Sequence, residues 1–379
     1  MDKKKIKIAI VGVGNCASSL VQGLTYYKDT KKDAFIPGVM HVDFGGYQIG
    51  DIEVVAAFDV NVNKVGKDVG EAIYEEPNNT AVFAKVPKLG VKVMMGPRMD
   101  GVNYTTEPLV PTSKEKPVDV VKVLKESGAE AVINYLPVGS QEATEFYAQA
   151  AIDARCGFIN CIPVFIASNK EWAKKFERAG LPVIGDDIKA QVGSTIVHRT
   201  LATMFMDRGM KIERTYQLNN GGNTDFLNLI DRTRGKWKKI SKTEAVTSLI
   251  NQRGQEIEAD NVHIGPSDYV PWLKDNKLGF IRIESKHFGD VPMNIEIRLS
   301  VEDSPNSAGV AIDSIRCLKL ALDNGLSGAI IEPAAYFKKH PPVQIEDRKA
   351  RGLVEEYILK YGHKSTSAKK NDVGIPQKT

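Results

Sequence analysis

The chain has 379 residues and a formal net charge of +4, with 26% charged and 42% apolar residues. That is an ordinary globular balance, long enough for two domains, and too nearly neutral to demand a nucleic acid or a membrane surface. No apolar run reaches the roughly 18 residues of a membrane span, and MDKKKIKIAIVGVG lacks a cleavage-site pattern, so a cytoplasmic protein is expected.

In chain order, KIKIAIV (5–11) reads as a β-branched strand running into glycines, and 16–27 as a helix. EVVAAFD (53–59) is a second strand, after a segment (28–52) that looks inserted. An amphipathic helix over 118–128 is stopped by Gly128. There follow a strand at 131–137, a helix at 140–154, a strand at 158–163, a helix at 169–179 and a strand at 182–187. Short strands alternating with helices of 10–15 residues predict an α/β fold, a doubly wound parallel sheet of the Rossmann type, over residues 1–204.

Beyond about residue 205 the periodicity changes. IERTYQLN (212–219), LGFIRIES (278–285) and MNIEIRLSV (293–301) alternate, which predicts a second α+β domain at 205–303 with a mostly antiparallel sheet. Ser241-Lys-Thr-Glu244 reads as a capping box, with Ser241 as N-cap and a helix starting at Lys242. Over 304–325 a helix is expected, with Ser304 as cap, Pro305 at the first position and Gly325 after the last. Residues 304–362 are expected to return to the first domain, and 363–379 to be a disordered tail.

Gly12-Val-Gly14-Asn15-Cys16-Ala17 lies between the first strand and the first helix. This is a G-x-G-x-x-A turn in the context that binds a dinucleotide. Gly12 permits the tight turn, Gly14 lets a pyrophosphate approach, and Ala17 lets the helix pack on the strand. Asp59, ending the second strand, is placed to bind a ribose hydroxyl and favours NAD over NADP. Its distance from the loop exceeds the usual ~20 residues.

Other polar clusters point to a ligand. GDDIKAQVGST puts Asp186, Asp187 and Lys189 at a strand's carboxyl end. NNGGNTDFLN carries Asp225, DSPNSAG carries Asp303, and YFKKHPP carries Lys338 and Lys339. In GKWKKISKTEAV, Lys236, Lys238, Lys239 and Lys242 crowd together near a helix start. Cations there oppose the helix dipole by roughly 0.3–1 kcal/mol each, so an anion is expected beside them. The six histidines show no metal-ligand spacing; His198 is expected to be structural. Cys16, Cys156, Cys161 and Cys317 form no C-x-x-C pair and read as reduced.

The stretches IVGVGNCASSLVQG, INYLPVGS, GDDIKAQVGST, NNGGNTDFLNL, KKISKTEAVTS, FGDVPMN, DSPNSAGVAID and AAYFKKHPP together resemble the myo-inositol-phosphate synthase family, in its shorter archaeal and bacterial branch. The resemblance runs over roughly residues 7 to 362. It departs at Ala190, where the family's usual DIKS has serine. It implies conversion of glucose 6-phosphate to inositol 3-phosphate with NAD regenerated at each turnover, a homotetramer, and a divalent cation as an option with no identified ligands. Lys238, Lys242, Lys277 and Lys339 match the family's active-site lysines. Asp187, Asp225 and Asp303 match acids that line the site. The expected cofactor contacts are Gly12, Gly14, Asn15, Cys16, Ala17, Asp59, Ser140, Asp187 and Lys189. The rival reading is a two-domain NAD-dependent dehydrogenase with net redox turnover, which needs no dispersed lysines.

Overall fold

A computed structural model describes residues 5–229 and 236–362, without the side chains of 236–238. The expected disordered tail lies outside the described residues.

The first half builds β1 (Ile6–Val11), α1 (Asn15–Tyr26), β2 (Ile52–Asp59), α2 (Val69–Ala72), β3 (Val93–Met95), α3 (Val120–Ser127), β4 (Ala131–Asn134), α4 (Gln141–Asp153), β5 (Gly157–Asn160), α5 (Lys170–Arg178), β6 (Pro182–Ile184) and α6 (Ser194–Asp207). The second half builds β7 (Lys211–Gly221), α7 (Thr224–Asn228), α8 (Lys236–Gln252), β8 (Val262–Tyr269), β9 (Asn276–Lys286), β10 (Pro292–Glu302), α9 (Pro305–Asp323), β11 (Gly328–Ala329), α10 (Ile331–Phe337) and α11 (Asp347–Tyr361).

Seven strands form one sheet in the order β11-β6-β5-β4-β1-β2-β3, every pair parallel. The central strands are buried on both faces, which is why IKIAIV and AVIN read as continuous apolar runs rather than alternations. One face is covered by α1, α9 and α11 through Leu20, Ile315, Leu318 and Val354, and the other by α3, α4 and α5 through Leu124, Ala148 and Phe176. The strand order reverses between β1 and β4, which opens a crevice at their carboxyl ends.

The segment 28–52 holds a 3-10 turn at Ile49–Asp51 and an isolated bridge between Phe44 and Tyr47, and it wraps α9. Met40 N–H donates to Asp313 (2.8 Å), and the buried Arg316 donates to the Val42 carbonyl (3.0 Å) while lying over the Phe44 ring.

The second sheet, ordered β10-β9-β7-β8, is mostly antiparallel as expected, with one parallel pair at its edge. Strand β7 pairs β9 antiparallel but β8 parallel. The strand VHIGPSDY lacks a clean alternation because glycine and proline interrupt it. Parallel pairing of β7 with β8 demands a crossover, and α8 supplies it. Its Ala245, Val246, Leu249 and Ile250 are buried, with Val246 and Ile250 packed on Ile264 and Ile283 of the sheet and on Ala202 and Phe205 of α6.

Candidate active site

The carboxyl ends of β1, β2 and β4 and the adjoining rim of the second sheet surround one cavity. It encloses about 1880 Å³ including its open mouth. Gly12, Gly14, Asn15, Cys16, Asp59, Asp187, Ala190, Asp225, Lys242, Lys277, Asp303 and Lys339 all line it.

At one end lies the glycine turn. Gly12 has φ +87°, and a Cβ there would sit 2.7 Å from the Tyr135 carbonyl oxygen, so only glycine fits. At Gly14 a Cβ would meet nothing within 4 Å; it would project into the free space a pyrophosphate needs. The first-turn N–H groups of α1 have no intrahelical partner, so they can serve an anion. Asp59 comes beside this turn despite the insertion. Its Oδ2 accepts from Val13 N–H (2.7 Å) and its Oδ1 from Val60 and Asn61 N–H (2.7 and 2.8 Å). A carboxylate offers about four lone-pair sites, which leaves one for a ribose hydroxyl. These features fit a dinucleotide.

Three of the expected cofactor side chains do not reach the cavity. Ala17 is fully buried between helix and sheet. Ser140 is buried and donates to the Pro137 carbonyl (2.6 Å). Lys189 turns away: its Nζ donates to the Ala335 carbonyl and to Asp347 (both 2.8 Å). Burial pulls that ammonium down to about 8 against the attraction of Asp347. Asp347 also takes Arg199 (2.6 Å), so the trio ties α11 to α6. Asp186 is likewise internal, accepting from Asn160, Ser168 and the Ile166 and Ala167 N–H groups. Periodicity marks a strand's end but not which of two adjacent aspartates points outward. Asp187 adopts φ +58°, a conformation aspartate tolerates better than most residues, and that aims it at the cavity.

The other end of the cavity is made of side chains. Lys339 Nζ donates to Asp187 Oδ1 (2.9 Å), and Ser241 Oγ donates to Asp187 Oδ2 (2.8 Å). Ser241 is therefore no N-cap. It sits inside α8, fully buried, one residue before the buried Lys242. The two residues continue the apolar stripe 245-246-249-250 at spacings of three and four, so the packing that buries the stripe also drives Lys242 inward. The capping-box pattern misled because Ser241 spends its hydroxyl on a tertiary partner. Lys238 lies on α8, but its side chain is outside the described residues.

Lys277, on β9, pairs with Asp303. Asp225 follows Asn223, whose side chain caps α7 by accepting from Asp225 and Phe226 N–H. Ser304 precedes α9 but makes no cap bond; its hydroxyl and N–H both go to Asp275 (3.0 Å each). Asp275 is the main residue that sequence reasoning missed. It is buried and also accepts from Asn15 and Asn223 (3.1 and 2.9 Å). Burial and then the neighbouring Asp303 push its carboxyl up, while these donors pull it back. Asp275 lies in the turn just before β9, so no strand alternation marks it, although it stands only two places from Lys277. Lys64 was also missed. It is buried against the Val13 carbonyl and Asn78 (2.7 Å each), and burial pulls its ammonium down while Asp59 opposes that.

His198 is buried behind the cavity wall, bonded to Thr215 (2.7 Å) and Gln217 (3.4 Å). Desolvation drops it to about 4, so it is neutral at neutral pH and cannot serve as a cation. All four cysteines are free thiols, and burial pushes Cys16 up to about 12. Among the described residues no group of three or more His, Cys, Asp or Glu side chains could hold a metal ion.

Comparison with known proteins adds an independent line. A family model described as myo-inositol-1-phosphate synthase matches residues 193–304, the stretch that carries α8, β9 and most of the acids. The chain is 54% identical over 355 residues to the inositol-3-phosphate synthase of Mycolicibacterium smegmatis, covering 93% of this chain and 98% of that one. It is 51% identical over 361 residues to the inositol-3-phosphate synthase of Corynebacterium glutamicum, covering 95% and 99%. Among solved structures, that of Ari2 superposes with a TM-score of 0.75 at 32% identity, covering 94% and 99%.

Proposed function

The chain belongs to the inositol-3-phosphate synthase family, and from that premise we propose how its cavity performs the reaction. The activity is that of the family, an isomerase of inositol biosynthesis. Under this reading the substrate is glucose 6-phosphate and the cofactor NAD, held by Gly12, Gly14, the first turn of α1 and Asp59. When bound, NAD supplies acceptance of hydride from C5 and its return.

The observation that carries the mechanism is the convergence of Lys242, Lys277 and Lys339 with Asp187, Asp225 and Asp303 on the cavity that also holds the glycine turn. Lys339, oriented by Asp187, removes the C5 hydroxyl proton. The C5 ketone acidifies the C6 protons, and the substrate phosphate takes one of them. Lys277, held by Asp303, stabilises the carbonyl oxygens. Lys242, together with Lys238, holds the phosphate and the enolate side while C6 attacks the C1 aldehyde. Fixed cations in a water-poor site stabilise developing oxyanions far better than solvent does. This accounts for a helix that carries lysines against its own dipole. A divalent cation, if used, would need the sugar phosphate as one of its ligands.

Incubation with glucose 6-phosphate and catalytic NAD, followed by phosphorus and carbon NMR, tests the reading. Inositol 3-phosphate with no net NADH is expected; one NADH per product would instead mean a dehydrogenase. We further propose a cytoplasmic homotetramer. The free thiols support a reducing compartment, and the exposed Phe288 and Trp272 supply apolar surface for subunit contact. Light scattering on the purified chain checks the subunit number.

A further inference from the structure

The glycine turn and the lysine pair are joined by a single carboxylate. Asp275 Oδ1 accepts from Asn15 Nδ2 (3.1 Å), Asn223 Nδ2 (2.9 Å) and Ser304 Oγ (3.0 Å), and Oδ2 accepts from Ser304 N–H (3.0 Å). The Asp275 carbonyl accepts from Asp303 N–H (3.0 Å), and Asp303 in turn pairs with Lys277. The start of α1, the start of α9, the cap of α7 and the lysine on β9 are therefore fixed on one residue.

Asn15 is fully engaged in this joint. Its Oδ1 accepts from Asn79 and Thr80 N–H (2.8 and 3.3 Å), and its Nδ2 donates to Asn79 (2.8 Å) as well as to Asp275. Asn79 reaches the Gly222 carbonyl (3.3 Å), a second crossing beside the first. Asn15 therefore holds the turn against the second sheet rather than offering its amide to a ligand.

We infer that Asp275, with Asn15 and Asn79, is a positioning relay that makes binding of nucleotide and of sugar phosphate mutually reinforcing. The inference rests on the functional reading above. A ligand at either end orders the shared joint, and the second ligand then loses less conformational freedom on binding. Coupling of this kind is reciprocal.

NADH fluorescence titrations with and without D-glucitol 6-phosphate, which lacks the aldehyde and cannot cyclise, measure the coupling. In the wild type the phosphate should lower the NADH dissociation constant about tenfold. In Asp275→Asn, which loses the charge that strengthens the bonds from Asn15, Asn223 and the Ser304 hydroxyl and turns an NH2 donor against the Ser304 N–H, the effect should shrink to twofold or less. Asn79→Ala, outside the cavity lining, should leave it near threefold. A folded Asp275→Asn protein with undiminished coupling, or a wild type with none, overturns the inference. If Asp275→Asn does not fold, Asn79→Ala alone decides, and coupling equal to the wild type overturns it. A wild type that binds no NADH overturns the functional reading itself.

Discussion

The two ends of the cavity are built differently. The nucleotide end is mostly backbone: a positive-φ glycine, a helix start and one carboxylate already holding three N–H groups. The substrate end is mostly side chain: Lys339 on Asp187, Lys277 on Asp303, Lys242 driven in by its helix. A backbone site is specified locally and is vulnerable to a single methyl group. A site of converging side chains is specified by packing and is vulnerable at each partner. If the comparison holds, damage at one end should spare the other.

The largest expected effect is at the substrate end. Lys339→Ala should lower turnover by about 10²–10⁴, the usual worth of a positioned acid–base group, while leaving NAD affinity within twofold. Product NMR and nucleotide titration check both halves. A variant that still reduces bound NAD at the normal rate would remove Lys339 from the C5 step. Next comes His198, buried behind the cavity wall against Thr215 and Gln217. Its folded pKa lies below the ordinary value, so the unfolded chain binds more protons between about pH 6.5 and 4. Stability is therefore present above that window and lost as pH falls through it, by about 3 kcal/mol. Urea midpoints of His198→Gln against wild type should converge as the pH drops from 7 to 4.

At the nucleotide end, Gly12→Ala should weaken NAD binding tenfold or more. The forced φ and the Tyr135 contact cost about 1–3 kcal/mol. Hexose phosphate binding, followed by calorimetry, should persist, and loss of both would erase the distinction between the ends. The smallest effect is expected from Ser241→Ala. Losing one hydrogen bond to Asp187 should cost about 1 kcal/mol of stability and a few-fold in kcat, with KM nearly unchanged.

The same contrast explains what could be read from the chain. The parallel sheet, the glycine turn and Asp59 were legible because periodicity and turn chemistry are local. Gly128 and Gly325 behave as expected, with φ of +67° and +66°. The lysines and acids were legible as residue types, but their partners were not. Lys189 resembles Lys339 in composition, yet one is spent on Asp347 and the other faces the cavity. Ser241 and Ser304 both carried capping patterns, and both were claimed by aspartates distant in sequence, Asp187 and Asp275. Nothing in a short window reveals such competition.

The parallel pairing of β7 with β8 bears on how the gene could be recut. Because α8 must travel from one strand's far end back to its neighbour's near end, the connection has a fixed span, and lengthening or severing it would unseat Lys242. The strap that follows α1, by contrast, carries no strand pairing beyond the isolated Phe44–Tyr47 bridge before β2 begins at Ile52. New termini or a grafted reporter introduced at the exposed Phe35 should therefore be tolerated, whereas the same cut within α8 should silence the enzyme.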